Sequence, residues 1–126
     1  MTSAKPAILF LIPDARLRDI YVSRFERAGW EVASASNLTD AERRAVQLRP
    51  AVLFVHYAIL ENVKLAFKHF RSLPTLLKTK IVIADKHLSR ETVDEVLAAG
   101  ADEVVMTAHL TPQALVKRMN QLIGDL

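Results

Sequence analysis

Two side chains that can do acid–base chemistry stand directly after apolar runs of the sequence. His56 follows Val52–Val55, and Asp85 follows Ile81–Ala84. A histidine beside a carboxylate can act as a general base, help to hold a metal ion, or form a structural hydrogen bond. We expect the structural hydrogen bond, because no serine or threonine follows at a spacing suited to a nucleophile.

Other common site chemistries have no residues to support them. The chain has no cysteine, which excludes disulfides, thiolate zinc sites and cysteine nucleophiles. Its only glycines stand where helices should end, so no glycine-rich phosphate loop can be drawn; they are Gly29, Gly100 and Gly124. The remaining histidines show no repeated ligand spacing and are not site candidates; they are His69, His87 and His109. We expect no cofactor and no metal.

Short apolar runs predict the strands that position His56 and Asp85. Each run is too short for a helix and rich in β-branched residues, which is typical of strands buried on both faces; they are Ala7–Ile12, Val52–Val55, Ile81–Ala84 and Val104–Met106. Glu31–Ser36 mixes apolar residues with serines and predicts an edge strand.

Helical periodicity fills the segments between these strands. In the first, one face holds Leu17, Ile20, Tyr21, Phe25 and Ala28. Asp14, Ser89 and Thr111 precede predicted helices as capping residues, the last of them followed by Pro112. Five strands alternating with five helices predict a parallel sheet covered on both faces, with function at the carboxyl ends of the strands.

Length and composition predict one globular domain over residues 1–126. The chain has 126 residues, of which 51% are hydrophobic and 25% charged. Its first apolar run stops at Pro13, far short of the roughly 20 apolar residues that a membrane helix needs. It also lacks a signal-peptide cleavage site, so we expect a cytoplasmic protein with no membrane contact.

Several short motifs make the chain resemble the receiver domain of bacterial response regulators. They are Leu17-Arg18, the segment Glu26–Val32, Arg49-Pro50 and the segment Ala98–Glu103. The resemblance implies a sheet in the order 2-1-3-4-5, with helices 1 and 5 on one face and helices 2, 3 and 4 on the other. His56 and Asp85 would then end neighbouring strands and meet in one crevice.

The residues that carry phosphorylation in this family are replaced here. Active receivers have an acidic pair after the first strand, an acceptor aspartate, a hydroxyl residue and a lysine. The chain has Ile12 and Pro13 for the pair, His56 for the acceptor, Asp85 for the hydroxyl residue and Thr107 for the lysine. Ala108 replaces the proline after the lysine, and Val104 replaces the aromatic switch residue. The chain therefore resembles a pseudo-receiver, in which we expect a buried His56–Asp85 pair, joined by Thr107 if its hydroxyl does not cap a turn, to fill the vacated pocket.

Asp14 lies just past the lost acidic pair. It could be a displaced Mg²⁺ ligand or the cap of the first helix, and we expect the cap.

A basic segment offers a candidate partner surface. Residues 62–90 hold seven of the seventeen basic residues but one of the fourteen acids. The cations considered for partner binding are Lys64, Lys68, Arg71, Lys78 and Arg90. We expect reversal of Lys64, Lys68 and Arg71 to leave folding nearly intact, because exposed charges contribute little to stability.

These observations predict a non-enzymatic signalling domain that contacts a protein partner or dimerises. One alternative is a small enzyme or metal-binding protein that uses His56 and Asp85. Another is a basic module that binds nucleic acid, which the sequence disfavours because no helix-turn-helix and no interleaved aromatic residues accompany the lysines.

Overall fold

The computed structural model describes residues 5–124, in which five strands alternate with five helices. The strands are β1 (Ala7–Leu11), β2 (Glu31–Ala35), β3 (Val52–His56), β4 (Lys80–Asp85) and β5 (Glu103–Met106). The helices are α1 (Ala15–Arg27), α2 (Leu38–Leu48), α3 (Val63–Ser72), α4 (Arg90–Ala99) and α5 (Pro112–Leu122). Short 3₁₀ turns cover Tyr57–Ile59, Pro74–Leu76 and Thr107–His109.

All neighbouring strands pair in parallel, in the order β2-β1-β3-β4-β5. Helices α1 and α5 pack on one face of the sheet, and α2, α3 and α4 pack on the other. The predicted α/β architecture is confirmed. We call the side where the strands begin the amino end of the sheet, and the side where they finish the carboxyl end.

Helix boundaries follow the predicted caps. The Asp14 carboxylate accepts hydrogen bonds from the Arg16 and Leu17 backbone N–H groups at 2.9 and 3.3 Å. Ser89 and Thr111 cap α4 and α5 in the same way, by accepting from Thr92 N–H and Ala114 N–H. These bonds satisfy donors that the first turn of a helix leaves free.

An aromatic cluster holds α1 against the sheet. The Phe10 ring lies edge-on to Phe25 and Phe54, with centroid distances of 5.1 and 5.2 Å. The predicted apolar face of α1 is wrong at two positions, because Ile20 is 46% exposed and Ala28 is also exposed. Tyr21, predicted on the same face, is buried, with its ring 5.8 Å from that of Phe54.

Candidate functional site

His56 and Asp85 meet at the carboxyl end of the sheet because β3 and β4 are neighbours. His56 Nε2 lies 3.5 Å from Asp85 Oδ1. Their side chains are 21% and 28% exposed, so the pair is not the buried pair that the sequence suggested. Each residue ends its strand, where no following turn covers it completely.

Both members of the pair also have backbone partners. His56 Nδ1 accepts a hydrogen bond from Ala58 N–H at 3.2 Å, and Asp85 Oδ1 accepts one from Lys86 N–H at 2.7 Å. Because Nδ1 is an acceptor, the neutral imidazole carries its proton on Nε2, which faces Asp85. Nδ1 thus has a hydrogen-bond partner, whereas the contact of Nε2 with Asp85 is at the outer limit of hydrogen-bond length.

The segment after β1 contains no acidic pair and is held by an arginine. Ile12 is fully buried, and Pro13 is exposed. Arg18 Nη1 donates to the carbonyl oxygens of Ile12 and Pro13 at 2.6 and 3.0 Å. Sequence reasoning missed this role, although Arg18 lies one helical turn beyond the cap Asp14.

Thr107 has its side-chain partner on α1. It follows β5 directly, and its side chain hydrogen-bonds with Tyr21 of α1. Burial raises the pKa of the Tyr21 hydroxyl, and the bond with Thr107 acts in the opposite direction. Thr107 therefore links α1 to the end of β5, and it does not join the histidine and the carboxylate.

Comparison with known proteins gives structural matches only. No protein-family model matches the chain, and no curated protein matches it either. A chemotaxis response regulator of Vibrio cholerae superposes with a TM-score of 0.82 at 20% identity, over 94% of this chain and 99% of that chain. A response regulator of Thermotoga maritima gives 0.83 at 16% identity, over 95% and 98% of the two chains. An orphan response regulator of H. pylori gives 0.80 at 14% identity, over 94% and 96%.

The chain has the fold of a receiver domain. A receiver of the phosphorylated kind holds Mg²⁺ with carboxylates at the carboxyl end of this sheet, and the residues present here do not fit that ion. Asp14 is engaged as a helix cap, Asp85 faces His56, and the guanidinium of Arg18 stands at the carbonyls after β1. Within residues 5–124, no three His, Asp or Glu side chains are grouped so that they could hold a metal. Mg²⁺ requires several oxygen ligands in octahedral geometry, which this set does not offer.

The cations of the basic segment do not form one surface of this receiver fold. Lys64 and Lys68 lie on the exposed side of α3. Lys78 precedes β4 and Arg90 begins α4, so β4 separates them. A strand of six residues at about 3.3 Å per residue places its ends roughly 17 Å apart. Lys78 and Arg90 therefore do not share one face, and partner binding by the basic segment stays a prediction.

Arg71 is a structural residue and not a free surface cation. Its Nη1 donates to the carbonyl oxygens of Leu76 and Thr79, both at 2.9 Å. Its Nη2 donates to Asp102 Oδ2 at 3.1 Å. The prediction that Arg71 can be reversed without cost to folding is wrong, because reversal would break all three bonds.

Two histidines that the sequence left unassigned lie close together. The rings of His87 and His109 are 5.7 Å apart between centroids. They stand on the loops after β4 and β5, which are also joined by a hydrogen bond from Ala108 N–H to the Lys86 carbonyl at 3.3 Å. The strand order would have indicated this proximity.

Among the described residues, no helix combines the length and apolar character needed to cross a bilayer.

Proposed function

We propose that this chain is a signalling domain with a receiver fold that works by protein–protein contact or dimerisation, without an aspartyl phosphate. The observation that carries the proposal is the occupied carboxyl end of the sheet. His56 stands at the acceptor position of β3 and faces Asp85, and Arg18 binds the backbone where the acidic pair would be. The structural similarity of this chain to a chemotaxis response regulator and an orphan response regulator supports the signalling role.

The geometry of His56 favours this function over the enzyme alternative. A general base needs one ring nitrogen within hydrogen-bond reach of the substrate proton. Here Nδ1 accepts from Ala58 N–H, and Nε2 lies 3.5 Å from Asp85 Oδ1, so a substrate would have to compete with the carboxylate for Nε2. A metal-binding role requires the same nitrogens. Stoichiometric metal in the protein purified without chelators would favour the alternative and contradict the proposal.

The proposed absence of phosphorylation is tested with acetyl phosphate and Mg²⁺, followed by intact-mass measurement at neutral pH. We expect no stoichiometric phosphoryl adduct on the wild-type chain. The matched control is His56→Ala, which removes the one side chain at the acceptor position. An adduct that forms on the wild type and disappears in the control would place a phosphorylated histidine at this site. An adduct at any other residue would equally contradict the proposal.

The proposed protein–protein contact is tested first by light scattering over a range of protein concentrations, which detects dimerisation. A concentration-dependent dimer would identify a second copy as the partner, and a persistent monomer would assign the role to a different protein. Failure of both dimerisation and partner capture from lysate of the source cells would contradict the proposed mode of action.

A further inference from the structure

A cleft of about 650 Å³ opens at the amino end of the sheet, opposite the His56–Asp85 pair. Three cations from different loops line it: Lys5 ahead of β1, Arg49 ahead of β3 and Lys78 ahead of β4. None of the three forms an ion pair with another residue in the range 5–124. One carboxylate, that of Glu31, lines the same cleft. The lining thus carries a surplus of two positive charges.

Arg49 occupies a backbone conformation that does not favour an arginine. Its φ and ψ are 50° and 64°, in the left-handed region, and among residues 5–124 no other non-glycine residue has a positive φ. It caps α2 through its backbone alone, since its N–H donates to the Ala45 carbonyl at 2.9 Å. Glycine adopts this conformation without strain. Its guanidinium forms no ion pair within residues 5–124, and strain of this kind is typical of a functional position.

The floor of the cleft is held rigidly. The buried Thr79 hydroxyl donates to the Pro50 carbonyl at 2.7 Å, and Arg71 holds the carbonyls of Leu76 and Thr79. The charge of Arg71 is paired with Asp102 beside the cleft, so it does not add to the surplus. A preformed site loses less entropy when it binds a ligand.

One wall of the cleft is apolar. Leu77 is 62% exposed and lines the cleft beside Pro74 and Leu48. An exposed leucine next to unpaired cations suits a ligand that carries both carboxylates and an apolar side chain. No aromatic residue lines the cleft. Proteins that bind single-stranded nucleic acid combine a basic groove with aromatic rings on which the bases stack, so a lining without aromatic residues favours a peptide.

We propose that this cleft binds an acidic peptide segment of a partner protein, with its carboxylates on Lys5, Arg49 and Lys78 and an apolar side chain against Leu77. The inference rests on the proposed function only in that both require a protein partner. It concerns the opposite end of the sheet and does not depend on the phosphorylation state of the carboxyl end.

The test measures fluorescence anisotropy of a short labelled peptide in which glutamates flank a central leucine. One control peptide has glutamines in place of the glutamates, and the other has serine in place of the leucine. We expect wild-type protein to bind the acidic peptide in a salt-dependent manner and to bind both controls more weakly. Unlabelled polyphosphate and a single-stranded oligonucleotide serve as competitors, and we expect each to compete less well than the unlabelled peptide.

Matched variants locate the binding. The double variant Lys5→Glu with Lys78→Glu should weaken binding about tenfold, because charge-assisted hydrogen bonds become repulsion. Lys64→Glu with Lys68→Glu makes the same change in net charge on α3 and should leave binding nearly unchanged. Arg49→Gly should also lose affinity while the protein remains at least as stable as wild type, because glycine relieves the strain. This variant separates loss of binding from loss of fold.

Three results would overturn the inference. They are equal loss of affinity in both double variants, equal binding of the glutamine peptide, and stronger competition by polyphosphate or oligonucleotide than by peptide. Absence of any binding by the wild type would overturn it as well. Phosphorylation at the carboxyl end together with intact peptide binding would instead refute the proposed function and leave this inference standing.

Discussion

The two ends of the sheet use polar side chains in different ways. At the amino end, Arg71 donates three hydrogen bonds and Asp102 accepts from both Arg71 and the Ile81 N–H, the latter at 2.8 Å. At the carboxyl end, His56 and Asp85 meet at 3.5 Å and remain open to solvent. The first network fixes the positions of two loops and the start of β4, whereas the second binds only the nearby N–H groups of Ala58 and Lys86, one or two residues further along the chain. A polar contact therefore contributes to stability according to how many backbone groups it satisfies.

The largest loss in the free energy of unfolding is expected from Arg71→Ala. Three charge-assisted bonds are lost and the loop carbonyls lose their donor, at a cost of roughly 2 to 3 kcal/mol. Urea unfolding at neutral pH measures it. Lys68→Ala, one turn earlier on the exposed side of α3, is the control. Equal stability of the two variants would show that the network does not hold the loops.

The effect of Tyr21→Phe on the free energy of unfolding is expected to depend on pH. Burial raises the pKa of Tyr21, so the unfolded chain loses this proton more readily than the folded chain does. The contribution of neutral Tyr21 to the free energy of unfolding is fully present below its pKa in the unfolded chain, about 10. It is lost as the pH rises through its higher pKa in the folded chain.

Unfolding of wild type and Tyr21→Phe in urea between neutral and alkaline pH measures this effect. Loss of the Thr107 hydrogen bond should cost the variant about 1 kcal/mol at pH 7, and the difference should shrink above pH 10. A difference that stays constant across the range would mean that Tyr21 ionises as easily in the folded protein as in the unfolded one.

His56→Ala should cost less than Arg71→Ala. The pair is partly exposed and its contact is long, so we expect a loss of about 1 kcal/mol or less, mostly from the hydrogen bond with Ala58. Thermal unfolding measures it, with Lys64→Ala on the exposed side of α3 as the control. A loss as large as that of Arg71→Ala would show that the carboxyl end is a structural network of the same kind.

The smallest change in the free energy of unfolding is expected from the double variant Lys64→Glu with Lys68→Glu. Both lysines are exposed, so stability should change by a few tenths of a kcal/mol. Urea unfolding at low and moderate salt measures it. A larger, salt-independent loss would reveal packing by the aliphatic parts of these side chains.

The sequence predicted the backbone better than the side-chain networks. Short apolar runs and helical periodicity, with caps such as Asp14 and Thr111, predicted the elements and their order, because these signals are local. The meeting of His56 and Asp85 followed from parallel strands that end at one side of the sheet. Arg18 and Arg71 were not predictable, because each binds backbone carbonyls whose directions depend on loop geometry. Period alone placed both Ile20 and Tyr21 on the buried face of α1, and it could not show that only Tyr21 packs against Phe54.

Two backbone amides at the carboxyl end, observed by NMR, give the most direct test of the proposed absence of phosphorylation. Ala58 N–H donates to His56 and Lys86 N–H donates to Asp85, so both signals report on the pair. Mg²⁺ alone and Mg²⁺ with beryllofluoride, a mimic of the phosphoryl group, are titrated into the wild-type protein. The proposed absence of phosphorylation predicts that neither signal shifts in a saturable way. Saturable shifts of Ala58 and Lys86 that require both Mg²⁺ and beryllofluoride would show that this end still binds a phosphoryl group, and would contradict it.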